Sequence, residues 1–156
     1  MMKNFLGIVV ISLLFINSSF SFEVPSIKHK KLKCYKPSMA EKLDGEKKNP
    51  NKEDYLYIIF NDDDTKAKFI KMGNFAFEES EWIVKRNLKF IFMTRDNTRW
   101  DLNRTSGDLS HTSLNLYDDF YYGKCEIFTG DVTELKKYLK NLGDENLKKE
   151  QEKINF

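Results

Sequence analysis

Thr98-Arg99-Trp100-Asp101-Leu102-Asn103-Arg104-Thr105-Ser106-Gly107-Asp108-Leu109 is the stretch from which the fold can be read. Trp100 and Leu102 alternate with Arg99, Asp101 and Asn103. That period-two pattern belongs to a strand with one dry face and one wet face, and it aims Trp100 and Leu102 at a core. Thr105-Ser106-Gly107-Asp108 then reverses the chain, with Gly107 supplying a positive φ, so the segment reads as a β-hairpin. Leu109 to Leu116 is its return strand.

On the N-terminal side the same texture continues. Tyr55 to Phe60 is an unbroken run of β-branched and aromatic residues, suited to a strand covered on both faces. Asn61-Asp62-Asp63-Asp64 stops it; a calcium loop would need acidic residues at alternate positions, a glycine and a distant Glu, so the triplet reads as a turn. Lys66–Met72, Glu81–Arg86 and Leu88–Thr94 are further strands, separated by Gly73-Asn74 and Asn87, with Asp96-Asn97 as the next turn. Leu88, Phe90 and Phe92 share one face. On the C-terminal side, Phe120–Phe128 is the last strand. Strict alternation puts Tyr121, Gly123, Cys125 and Ile127 on one face and Tyr122, Lys124, Glu126 and Phe128 on the other.

Asp131-Val132-Thr133-Glu134 opens a helix with acidic and hydroxyl capping groups. Val132, Leu135, Tyr138, Leu139 and Leu142 form one apolar stripe, for docking on the sheet in preference to a membrane surface, and Gly143 is the expected stop. The predicted fold class is therefore mainly β: a single antiparallel meander, as a curled sheet, small barrel or sandwich, with a C-terminal amphipathic helix. The predicted division is residues 1–21 as a leader, 22–54 as an N-terminal arm and loop with a short helix at Met39–Leu43, 55–143 as the β domain with its helix, and 144–156 as a charged tail.

The leader reading rests on Lys3, the apolar run Leu6–Ile16 and the small residues Ser19 and Ser21 ahead of Phe22. The run is too short for a bilayer, which needs roughly 20 residues, but suits a signal peptide cut between Ser21 and Phe22. Loss of Lys3 alone among charged residues lowers the net charge from +2 to +1. A balance so near neutral argues against nucleic acid as the partner. The expected location is the periplasm or the outside of a bacterial cell, reached by Sec export, with the membrane met only in transit. In that oxidising setting Cys34 and Cys125, the two cysteines of the chain, read first as a disulfide. With His29 and His111 as the two histidines, they fit no zinc spacing.

The stretch Trp100 to Leu109, with Tyr122-Gly123-Lys124-Cys125-Glu126 and the early Cys34, resembles a group of small exported bacterial β-domain proteins of no assigned function. In that group an Arg-to-Gly hairpin and a final G-x-C strand recur. Here Thr105-Ser106 stand between Arg104 and Gly107, so the resemblance does not fix the hairpin length. The early and late cysteines give a weaker similarity to the periplasmic inhibitors of c-type lysozyme. Ser106-Gly107 follow the Trp100 strand here, whereas in that family the Ser/Gly loop precedes it, and no functional residue is carried over.

The chain has no G-x-S-x-G, no phosphate-cradling glycine loop and no H-E-x-x-H. Adjacent carboxylates such as Asp118 and Asp119 face opposite ways on a strand. Arg104 reads as a cross-strand partner of Asp108 or Asp101, with anion binding as the alternative. Tyr117, Tyr121 and Tyr122, with Arg104, make the expected surface for a protein or glycan ligand, and cross-strand aromatic pairing accounts for the tyrosines equally well. The expected function is a non-enzymatic, exported binding or envelope-associated protein without metal or cofactor. The alternatives are an inhibitor of a secreted enzyme such as lysozyme, using Arg104–Asp108 as its probe, and a hydrolase built on His29 or His111.

Overall fold

The computed structural model describes residues 23–35, 51–73, 76–113 and 118–154. The leader with its Ser21–Phe22 cut, the Met39–Leu43 helix and Tyr117 lie outside the described residues. The strands are β1 (Lys31–Tyr35), β2 (Leu56–Phe60), β3 (Lys66–Met72), β4 (Phe77–Arg86), β5 (Phe90–Arg95), β6 (Thr98–Asn103), β7 (Asp108–Ser113) and β8 (Asp118–Ile127). Each pairs antiparallel with the next, and β8 returns to β1, so the meander closes into a barrel. Among the curled sheet, barrel and sandwich, the barrel is the outcome.

The closing seam carries the predicted disulfide. Cys34 and Cys125 are direct register partners on β1 and β8, with Cα atoms 4.0 Å apart and a bonded Sγ pair. Lys33 and Glu126 stand opposite each other on the outer face of the same seam, 2.9 Å apart.

Eight strands leave an interior that side chains can fill. Period-two alternation supplies Leu32 and Cys34 from β1, Leu56, Ile58 and Phe60 from β2, and Ala67 and Phe69 from β3. Trp82 and Val84 come from β4, Ile91 and Met93 from β5, Trp100 and Leu102 from β6 and Leu109 from β7. The faces of β8 depart from strict alternation. Leu109 pairs with Gly123 and Ser110 with Tyr121, so Tyr122 is an extra residue in a β-bulge. The bulge turns Tyr122 inward with Cys125, against the expectation that they face opposite ways.

The helix α1 (Val132–Ile154) lies outside the barrel, where Leu135 and Leu139 bury against Tyr57 and Ile70. Tyr57 on β2 is thus covered outside while Ile58 is covered inside, which is why Tyr55–Phe60 is apolar throughout. Asp131 Oδ1 caps the helix by accepting from Glu134 N at 2.9 Å. Gly143 does not end it. The glycine costs roughly 1 kcal/mol within a helix, but Leu, Lys, Glu and Gln on both sides are strong helix formers. The expected tail 144–156 is therefore helical to Ile154.

The segment 22–54 is also more than an arm. Lys31–Tyr35 is β1, Ile27 is buried, and Lys52–Asp54 forms a 3-10 turn. Its anchor is Asp64, a buried residue at positive φ in the β2–β3 turn. Asp64 accepts from Ile27 N at 3.0 Å, from Ser26 Oγ at 2.9 Å and from Arg86 Nη1 at 2.6 Å. The triple-aspartate turn thus holds the entering chain against the barrel. No helix among the described residues is long and apolar enough to cross a membrane.

Candidate functional site

The inward-facing residues divide by end. Ile27, Leu32, Phe60, Ile91 and Leu102 line a pocket of about 390 Å³ at the end where the chain enters, with the Asn103–Gly107 turn at its mouth. At the opposite end Phe69, Trp82, Trp100 and Tyr122 are inward positions, and among the described residues these large rings surround a cup of about 490 Å³ with Leu56 in its wall. That volume lies within the range of small-molecule pockets.

The rings pack on one another. Phe69 stacks on Trp82, centroids 4.8 Å apart, and meets Trp100 edge-on at 5.8 Å. Trp100 in turn stands edge-on to Tyr122 at 5.1 Å and to His111 at 4.7 Å. Such contacts hold each ring in place before any ligand arrives. Trp82 Nε1 donates to Ser80 Oγ at 2.8 Å, which fixes the indole and occupies the hydroxyl as an acceptor. Burial pushes the Tyr122 phenol above its ordinary pKa, so the cup wall stays uncharged there at neutral pH.

Charge is confined to the rim. The inward parity that places Phe69 on β3 and Trp82 on β4 brings Lys71 and Glu78 opposite each other at the strand ends, 2.9 Å apart. Glu79 is held by Lys136 of the helix and by Lys68, whose Nζ is 3.3 Å away. The hydrogen bond from Lys136, helped by Lys68 against the opposing effect of burial, holds the Glu79 carboxyl below the usual range. Arg95, the inward residue after Ile91 and Met93 on β5, completes the rim.

Of the expected binding surface, the described residues Arg104, Tyr121 and Tyr122 do not come together. Tyr122 faces the cup, whereas Tyr121 is exposed outside with its hydroxyl 3.5 Å from Asp108 Oδ1. Arg104 lies at the other end of the barrel, where it donates to Asn87 O and Pro25 O, each at 2.9 Å. It pairs with neither Asp108 nor Asp101. Asp101 instead takes both Arg99 Nε and Nη2, and Asp108 lies 3.8 Å from Lys124. The physical reason is reach: just past the end of β6, Arg104 extends toward the free carbonyls of two neighbouring turns.

The two histidines are also apart. His29 Nδ1 sits 3.1 Å from Asp62 Oδ1 on the entry side, both side chains largely exposed, while His111 rests against Trp100. No group of three or more His, Cys, Asp or Glu among the described residues is placed to hold a metal ion.

Sequence reasoning located Trp82 and Trp100 on strands but did not join them to Phe69, Ser80 and Arg95 in one site. The usable signal was parity: Arg95 follows Ile91 and Met93 at steps of two, and Ser80 precedes Trp82 in the same way. Compared with protein-family models, with curated proteins and with solved structures, the chain finds no match in any of the three. Its class is thus defined by its own geometry: a small closed β-barrel with one aromatic-lined mouth.

Proposed function

We propose that this protein is an exported, non-catalytic binding protein whose barrel mouth receives the flat apolar face of a small molecule. The observation that carries the reading is the cup itself. Four packed rings line a concavity of ligand size at one end, whereas the pocket of about 390 Å³ at the opposite end has Phe60 as the one aromatic residue among its described lining residues. A barrel needing only a core would gain by filling that space, since unfilled apolar volume costs dispersion contacts. Export is supported by the leader-like residues 1–21 and agrees with the disulfide.

The inhibitor reading has less support, because Arg104 is spent on two backbone carbonyls and Asn103 Oδ1 accepts from Thr105 N and Ser106 N, which folds the would-be probe onto itself. The hydrolase reading has less support because the histidines are not brought to one pocket with a carboxylate and a nucleophile.

Trp82 and Trp100 are the two tryptophans of the chain, so intrinsic fluorescence reports on the cup. Titration with the neutral fluorophore N-phenyl-1-naphthylamine, exciting tryptophan, should give saturable sensitised probe emission. A Trp100→Leu variant that keeps the parent's melting profile should bind more weakly. Unsaturable emission, or unchanged affinity in that variant, would refute the cup as a binding site. For export, the intact mass of protein from the cell envelope should match Phe22–Phe156 less two hydrogens. A full-length mass would refute cleavage.

A further inference from the structure

We infer that the ligand of the cup is an aromatic carboxylate, with Arg95 as the residue that receives its acid group. This rests on the binding reading above and adds the ligand's chemistry to it.

The floor and walls favour an aromatic ring over a sugar. Leu56, Phe69, Trp82 and Trp100 offer surface but few hydrogen-bonding groups, and Ser80 Oγ already accepts from Trp82. Sugar hydroxyls placed there would leave water without replacement partners, at a cost for each. A planar ring loses nothing by the transfer and gains edge-to-face contacts with rings already fixed in position.

The rim supplies the polarity. Among the described residues, four charged side chains border the cup: Lys71, Glu78, Glu79 and Arg95. Lys71 and Glu78 neutralise each other at 2.9 Å, and Glu79 is matched by Lys136 and Lys68. Arg95 is matched poorly. Its Nε lies 3.5 Å from Asp96 Oδ2, a carboxylate 84% exposed, and its terminal nitrogens make no hydrogen bond to protein among the described residues. A guanidinium with both terminal nitrogens open is the natural bidentate receiver for a planar carboxylate. The half-exposed position keeps this cation hydrated without a ligand and lets it select for charge once the ring is seated.

The test compares 3-phenylpropionate with its uncharged amide, followed by tryptophan fluorescence of the parent and of Arg95→Gln. The parent should hold the acid roughly twofold to fivefold more tightly than the amide, the size expected for a partly exposed charged pair, and added salt should narrow the gap. In Arg95→Gln the acid should fall to the amide's level while the amide's own affinity stays put. Equal binding of acid and amide by the parent overturns the role of Arg95 and leaves the cup reading standing. A gap that persists in Arg95→Gln likewise overturns that role. If neither compound binds, the inference fails together with the cup reading.

Discussion

Replacing both Cys34 and Cys125 with Ala removes the one covalent tie across the β1–β8 seam. The bond joins residues 91 positions apart. Releasing a loop of that length returns conformational freedom to the unfolded chain worth about 4.6 kcal/mol at 25 °C in the chain-entropy account. Cys34 is fully buried, so trimming its sulfur adds about 1 kcal/mol of lost packing. The expected loss is therefore about 5–6 kcal/mol, a large part of what a domain of this size possesses. The assay is equilibrium urea unfolding of the oxidised parent and the double variant. Because the tie acts on the unfolded chain, the variant should also show a steeper denaturant dependence, its unfolded form being more expanded. The double variant is the right comparison, since a single one strands a thiol in the core. A difference within about 1 kcal/mol would refute the reasoning, for the strand pairing and core would then hold the seam unaided.

Asp64→Asn should cost about 2–4 kcal/mol by leaving Arg86 without its counter-charge, read as a lower urea midpoint. Burial raises the Asp64 pKa, but the bonds from Ser26 and Ile27 and the Arg86 charge outweigh it, and the net shift is downward. A lowered folded pKa stabilises fully above the unfolded value near ~4 and is lost as pH falls through the folded value. The variant should therefore show a flatter acid limb than the parent in melts from about pH 6 to about pH 2, and parallel limbs would contradict this. Gly107→Ala should cost about 2 kcal/mol or more, because φ is +73° and an added Cβ would sit 2.8 Å from the Cys125 carbonyl oxygen. An unshifted urea midpoint would contradict that account.

The strands with clean alternation were legible because one face is wet. Lys66–Met72 matches β3 at both ends, and the hairpin turn at Gly107 falls where its glycine requires. β1 falls inside the segment expected as arm and loop, although Lys31-Leu32-Lys33-Cys34 alternates, because alternate lysines beside a cysteine resemble a solvated stretch as much as a strand. In the barrel they are simply the outer face. The inward turn of Tyr122 depends on a bulge, which no local pattern announces. Barrel closure depends on a pairing across most of the chain, hinted at by the cysteines alone. The cup was illegible for a related reason. Phe69, Trp82, Trp100 and Arg95 come from four different strands, and only register and curvature bring their inward positions to one end. Arg104 misled because a turn arginine reaches in three dimensions to carbonyls at Pro25 and Asn87 that sequence distance hides.

The closed seam also dictates the order in which the chain can complete itself. As the chain emerges N-terminus first, β1 appears long before β8, and it can pair with β2 on one side only. Until the last strand arrives, the growing sheet has two open edges, each a row of unpaired amides and carbonyls able to recruit a neighbouring chain. The final pairing must close a loop of most of the domain, so its entropic cost falls late and all at once. Finished, the barrel has no edge left to offer. Its vulnerable period lies before the last strand pairs, and crowding or haste should harm newly emerged chains far more than mature ones.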